Sequence, residues 1–237
     1  MSNPGVKISR WFSSEAGRIT LLARLYVFFG RLILALDAQH SIQTPIFFIP
    51  EGIALAFVLL YGRTMAIGVF AGQLLLSLGS GAPAWQAIGL DCSYGLEALI
   101  ASLLTQWLRL DLRLKNQKDF WILLGLIALV FQPFSATAGL LILSKFPSQN
   151  ATLGESMQLP WINWWISGAM SQTQLTPFLL FFLPAPRSLF TRPNLIWAAK
   201  AIPLLTAILP INFYGGLNTT ATALGFFPLL MITPLTS

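Results

Sequence analysis

The chain has 237 residues, 55% of them hydrophobic and 9% Asp, Glu, Lys or Arg, with a formal net charge of +6. Soluble domains average about 25% charged residues, so this composition excludes a water-facing surface of ordinary polarity. Mean hydropathy is +0.71 and the cations fall between long apolar runs, which assigns them to membrane topology and excludes nucleic acid as a partner.

Cutting at Gly, Pro and charge clusters leaves apolar runs at Ile19–Leu36, Ile46–Tyr61, Met65–Leu78, Trp85–Leu108, Phe120–Leu143, Trp161–Leu183, Leu195–Phe213 and Leu224–Thr233. They predict an all-α polytopic bundle of about seven to eight transmembrane helices in the lipid bilayer. Residues 1–18 form a cytoplasmic segment and 19–237 a single membrane domain. A crossing needs roughly 17 residues or more, so the second and third runs must borrow flanking residues. The eighth is short and holds Pro228, which marks the chain as a truncated form, or a domain cut from a longer protein. Lys7, Arg10 and Arg18 ahead of the first run resemble a signal peptide, but Arg24 and Arg31 interrupt its apolar region and Leu36 spoils the cleavage site, leaving an uncleaved first helix.

With the N-terminus cytoplasmic, Arg63, the group Arg109, Arg113, Lys115 and Lys118, and the pair Arg187 and Arg192 also lie inside, while the outer loops hold only Lys145. That satisfies the positive-inside rule for a multi-pass protein of the bacterial inner membrane. The outer loops are too short to fold as separate domains.

Few residues carry chemistry. Cys92 is alone and reads as packing, and the one histidine, His40, falls in a predicted short loop, so no metal or cofactor site is expected. Intramembrane charges cost about 2.5 to 3.5 kcal/mol each and invite a functional reading. Glu51 begins the second helix, where the dipole favours a carboxylate. Asp91 and Glu97, six residues apart, sit about 120° apart around their helix and do not form a matched pair. Arg31 reaches a depth similar to Glu97, and an Arg31–Glu97 ion pair is expected. Gly68 and Gly72 form a GxxxG that serves either intramolecular packing or a homodimer seam. Trp161, Trp164 and Trp165 open the sixth helix, either as interfacial anchors or as the lining of a ligand pocket. Phosphate loops, HExxH, nucleophile elbows and aspartate-rich transferase sites are missing, so the chain is read as non-catalytic.

Phe48-Ile49-Pro50-Glu51-Gly52-Ile53-Ala54-Leu55-Ala56, then Leu59-Leu60-Tyr61-Gly62-Arg63, resembles the hallmark of the MASE1 membrane-associated sensor family. Leu96-Glu97-Ala98-Leu99, Pro133 to Gly139, and Trp164-Trp165 with Thr176-Pro177-Phe178-Leu179-Leu180 are similar to three further motifs of that family, in order, across residues 20–235. The resemblance implies a bacterial inner-membrane input module of about eight helices, joined to a histidine kinase or cyclic-di-GMP enzyme as output domain or partner. The chain departs from the family pattern at Phe48 (usually Trp), Glu51 (usually small), Ser93-Tyr94 (usually Gly-Asn) and Ser167-Gly168 (usually Gly-Asp). The expected ligand-binding pocket for a small or lipophilic cue comprises Glu51, Asp91, Trp165, Ser167 and Gln172 in the outer half of the membrane. A small-molecule transporter is the alternative, disfavoured by the lack of an internal repeat.

Overall fold

A computed structural model describes residues 14–40, 48–81, 83–112, 114, 116–145 and 158–183. These form α1 (Glu15–His40), α2 (Ile49–Tyr61), α3 (Met65–Gly79), α4 (Ala84–Trp107), α5 (Gln117–Leu126), a π-helical turn (Ile127–Phe131), α6 (Gln132–Lys145) and α7 (Gln158–Phe182). Because α5, the π turn and α6 run on without a break, the described residues make six helical rods and no strand. The expected runs at Leu195–Phe213 and Leu224–Thr233, and the loop cations Arg113, Lys115, Arg187 and Arg192, lie outside the described residues.

Local chemistry sets the helix ends. Ser14 caps α1, its Oγ accepting the Gly17 N–H at 3.1 Å, a common helix-start arrangement. The same helix continues to His40, which therefore closes α1 and does not sit in the loop predicted from sequence. Gly62 takes φ +91° and stops α2, while Gly81 at φ +83° follows the end of α3. Both are left-handed conformations that favour glycine. The borrowing expected for the second and third helices does not occur: they have 13 and 15 residues, or about 20 Å each. By contrast Ala84–Trp107 and Gln117–Ser144 are long and apolar enough to cross a membrane.

Two seams organise the bundle. In one, α3 lies along α1 with Gly68 and Gly72 at the contact. A Cβ on Gly72 would come 2.7 Å from Tyr26 Cβ, and one on Gly68 3.0 Å from the Ile19 carbonyl oxygen. The GxxxG is thus used within the chain. In the other, α7 runs parallel to α2, Gly52 beside Ser171 and Leu59 sharing an apolar cluster with Leu180. At one end of the bundle the Arg18 guanidinium stacks 4.9 Å from the Tyr61 ring centre, joining the start of α1 to the end of α2.

Polarity is distributed inside out. Leu129, Phe28, Ile67 and Leu75 point outward, 75%, 63%, 59% and 58% exposed, whereas Glu51, Asp91, Glu97, Gln132 and Gln172 are buried. In water both choices are costly; in lipid, an apolar exterior around a polar interior is the stable arrangement. Cys92, read as packing, is instead exposed on α4.

Candidate functional site

The first turn of α2 is held by a neighbouring helix. Pro50 stands within the first two positions, where its missing N–H costs nothing. The Gly52 N–H donates to Ser171 Oγ of α7 at 3.1 Å, and that hydroxyl donates to the Phe48 carbonyl at 2.6 Å. Thr176 Oγ1 donates to the Gly52 carbonyl at 3.1 Å. Such contact requires a bare backbone: a Cβ at Gly52 would lie 2.6 Å from the Ser171 carbonyl oxygen and 2.7 Å from Leu175 Cβ. Glu51, next in line, is thereby turned into the bundle.

The π turn performs the corresponding task for the fifth rod. Gln132 N–H bonds to the Ile127 carbonyl, five residues back, so the Ala128 carbonyl loses the partner an α-helix would give it. Its next neighbour along the chain is Pro133, which has no N–H to offer. Trp165 fills the gap, its Nε1–H donating to Ala128 O at 2.7 Å. The insertion shifts the register of everything that follows and brings Gln132 to the centre of the bundle.

There four side chains from four rods meet. Gln132 Nε2 donates to Glu51 Oε2 and to Glu97 Oε1, both at 3.1 Å, and Gln172 Nε2 donates to Glu97 Oε1 at 2.6 Å. Ser135 stands beside Glu97 without completing a well-aligned hydrogen bond. Among the described residues no lysine, arginine or histidine contacts either carboxylate. Both Gln132 Oε1 and Glu51 Oε2 occupy the space that a Cβ on Gly168 would need. Glu51 and Gly168, two positions at which the resemblance implies other residues, therefore face each other across the α2–α7 seam.

An aromatic wall flanks this centre on the side of α6. Trp164 lies on Gly139 and stacks on Tyr94, ring centres 6.0 Å apart; Trp161 stacks on Trp165 at 5.7 Å and donates to Thr137 Oγ1 at 3.0 Å. The three tryptophans thus serve helix packing and backbone satisfaction.

Of the residues expected to form a pocket, Glu51 and Gln172 belong to the centre, Gln172 bonded to Glu97 directly and Glu51 joined to it through Gln132. Ser167 is buried on α7, next to Gly168. Trp165 acts on the Ala128 carbonyl, and Asp91 belongs to a separate group, accepting from Ser77 Oγ at 3.1 Å in the α3–α4 seam. The expected Arg31–Glu97 ion pair does not form. Arg31 is exposed, its guanidinium against Gly79 at the end of α3, whereas Glu97 is 4% exposed and bonded to the two glutamines. Twelve residues of helix give a similar depth but do not set the direction around the axis. Sequence reasoning missed Gln132 and Ser171; the signal for the first was an amide directly before a proline inside an apolar run.

The motif stretches supply or border this centre: Glu51 from the first, Glu97 from the second, Ser135 beside it from Pro133 to Gly139, and Thr176 on the Gly52 carbonyl from the fourth, whereas Gln132 and Gln172 lie just outside them. The MASE1 family profile matches residues 17–236. The chain belongs to the MASE1 family. MASE1 domains are membrane-associated sensory modules, so the chain is a membrane protein with a sensory input role in signal transduction. Comparison with curated proteins and with solved structures gives no match. In this MASE1 domain the motif stretches, scattered over more than a hundred residues, meet at or beside one buried polar cluster.

Proposed function

We propose that this MASE1 domain is the non-catalytic input module of a bacterial signalling system, a multi-pass protein of the inner membrane with its N-terminus in the cytoplasm. Its cue is recognised at the Glu51–Gln132–Glu97–Gln172 centre, in the half of the membrane away from the cytoplasm. Trp165 and Ser167 support that centre from α7, while Asp91 lies apart in the α3–α4 seam. A ligand that binds two helix packings unequally shifts the balance between them, and the π turn, whose Ala128 carbonyl is met only by the Trp165 indole among the described residues, is the element that moves in this reading. A kinase or cyclic-di-GMP enzyme, as fused domain or partner, and a homodimer as the signalling unit complete the reading.

The observation that carries it is the meeting of Glu51, Glu97, Gln132 and Gln172, from four helical rods, at a buried polar cluster within an apolar bundle. The test is a fusion to a cyclase output domain. Substitutions Glu51→Gln and Trp165→Phe are expected to change how output responds to growth conditions; the same response in both variants and parent would remove the reading. Buried carboxylates at mid-bundle also suit a transporter, and uptake of a labelled solute into proteoliposomes would favour that function instead.

A further inference from the structure

Hydrogen-bond donors and acceptors do not balance at the centre. Gln132 commits its amide nitrogen to both carboxylates and Gln172 commits its own to Glu97. What remains is acceptors: Gln132 Oε1, Gln172 Oε1 and Glu97 Oε2 are buried with no hydrogen-bond partner among the described residues. All three residues are more than nine-tenths buried, at 0%, 3% and 4% exposure. Leaving one such group unmet costs as much as a hydrogen bond gains, and holding two carboxylates in a low-dielectric interior costs more still. One of the three oxygens, Gln132 Oε1, also crowds Glu51 Oε2 at a single point above Gly168.

An anionic ligand would add acceptors to a surplus of acceptors, and an apolar ligand would leave every one of them unmet. A compact cation satisfies them. Carboxylate and amide oxygens together are the donor set that hard cations prefer, and an ammonium head group offers three N–H donors to the same atoms. We propose that the Glu51–Gln132–Glu97–Gln172 centre is a binding site for one compact cation, either a hard metal ion or an ammonium group. This rests on the sensory reading only for its purpose; the site itself stands on the geometry.

The test uses the full chain in lipid nanodiscs at constant ionic strength, with choline chloride as the reference because choline has no N–H donor and is bulky. Equilibrium dialysis measures binding of sodium, potassium, magnesium and calcium chlorides in one arm and of methylammonium chloride in the other. The expected result is saturable binding of about one cation per chain in one arm, weakened about tenfold or more by Glu97→Gln or Glu51→Gln. The arm that binds identifies the source of the charge. No saturable binding in either arm by the unsubstituted protein would overturn the proposal, as would affinity unchanged in variants that elute as the parent does. Should the glutamine variants fail to fold, Glu51→Asp draws the carboxylate back by one methylene, and unchanged affinity there also overturns it. Binding in dialysis together with a cyclase fusion insensitive to that cation would keep the site and remove the sensory reading.

Discussion

The α1–α3 seam and the α2–α4–α6–α7 centre are built on opposite principles within one bundle. At the first, Gly68 and Gly72 admit Ile19, Ala23 and Tyr26 to near backbone contact, and attraction comes from packing alone. At the second, glycines at 52 and 168 also permit close approach, but they admit hydroxyl, amide and carboxylate oxygens. A seam of the first kind has one good arrangement and resists change. The second contains acceptors whose needs depend on what is bound, which is the property a sensor requires.

Breaking each seam with the same kind of substitution separates them. The largest effect is expected from Gly52→Val, which drives a side chain into the rigid Ser171 carbonyl at 2.6 Å; we expect a loss of about 3 kcal/mol, or no folded protein, in a denaturant titration in mixed micelles. Gly72→Leu meets the Tyr26 side chain, with Ala23 Cα at 3.2 Å behind it. A loss of about 2 kcal/mol is expected, with the response of a cyclase fusion kept wherever folding is kept. If that response disappears while the fold survives, the two regions are not independent.

Within the polar centre, Gln132→Leu keeps the volume and deletes both donors to Glu51 and Glu97. A cost of about 2 kcal/mol follows from leaving Glu51 without that donor and Glu97 with Gln172 alone, read in the same titration. Trp165→Phe keeps an aromatic ring and removes the proton held by the Ala128 carbonyl. We expect about 1 kcal/mol, with faster hydrogen exchange confined to the amides of residues 127–132. Uniform acceleration over the whole chain would mean that the indole does not pin the π turn.

The smallest effect sharpens the comparison most. Gly168→Asp alone places a Cβ against Gln132 Oε1 and Glu51 Oε2 and should destabilise. Combined with Glu51→Ala it moves the carboxylate from α2 to α7, the pattern usual for the family, and the double variant is expected to differ from the parent by no more than about 1 kcal/mol. Coupling of this sign is what contacting residues show in a double-mutant cycle. Purely additive losses would mean that the facing departures are unrelated.

Much of this is legible in the sequence. Six of the expected helices appear near their predicted bounds, because apolar length and Gly or Pro punctuation are local properties. The family was legible from short motifs in order. Arg31 shows the limit: its position along α1 gave the right depth relative to Glu97, yet direction around the helix axis, fixed by packing on α3, sent it to Gly79. Asp91 shows it again, since a buried carboxylate on the right helix proved to be a neighbour of Ser77 and not of Glu51.

The sequence by itself determined the solvent, the helices and the membership, since each follows from composition and from patterns within about twenty residues. Only the tertiary structure decided that Gln132 bridges two carboxylates, that Ser171 closes the start of α2 and that Trp165 answers a carbonyl released by a π turn and a proline. Those are relations between residues dozens of positions apart, and they exist because burial in an apolar bundle makes every polar group seek a partner on another helix.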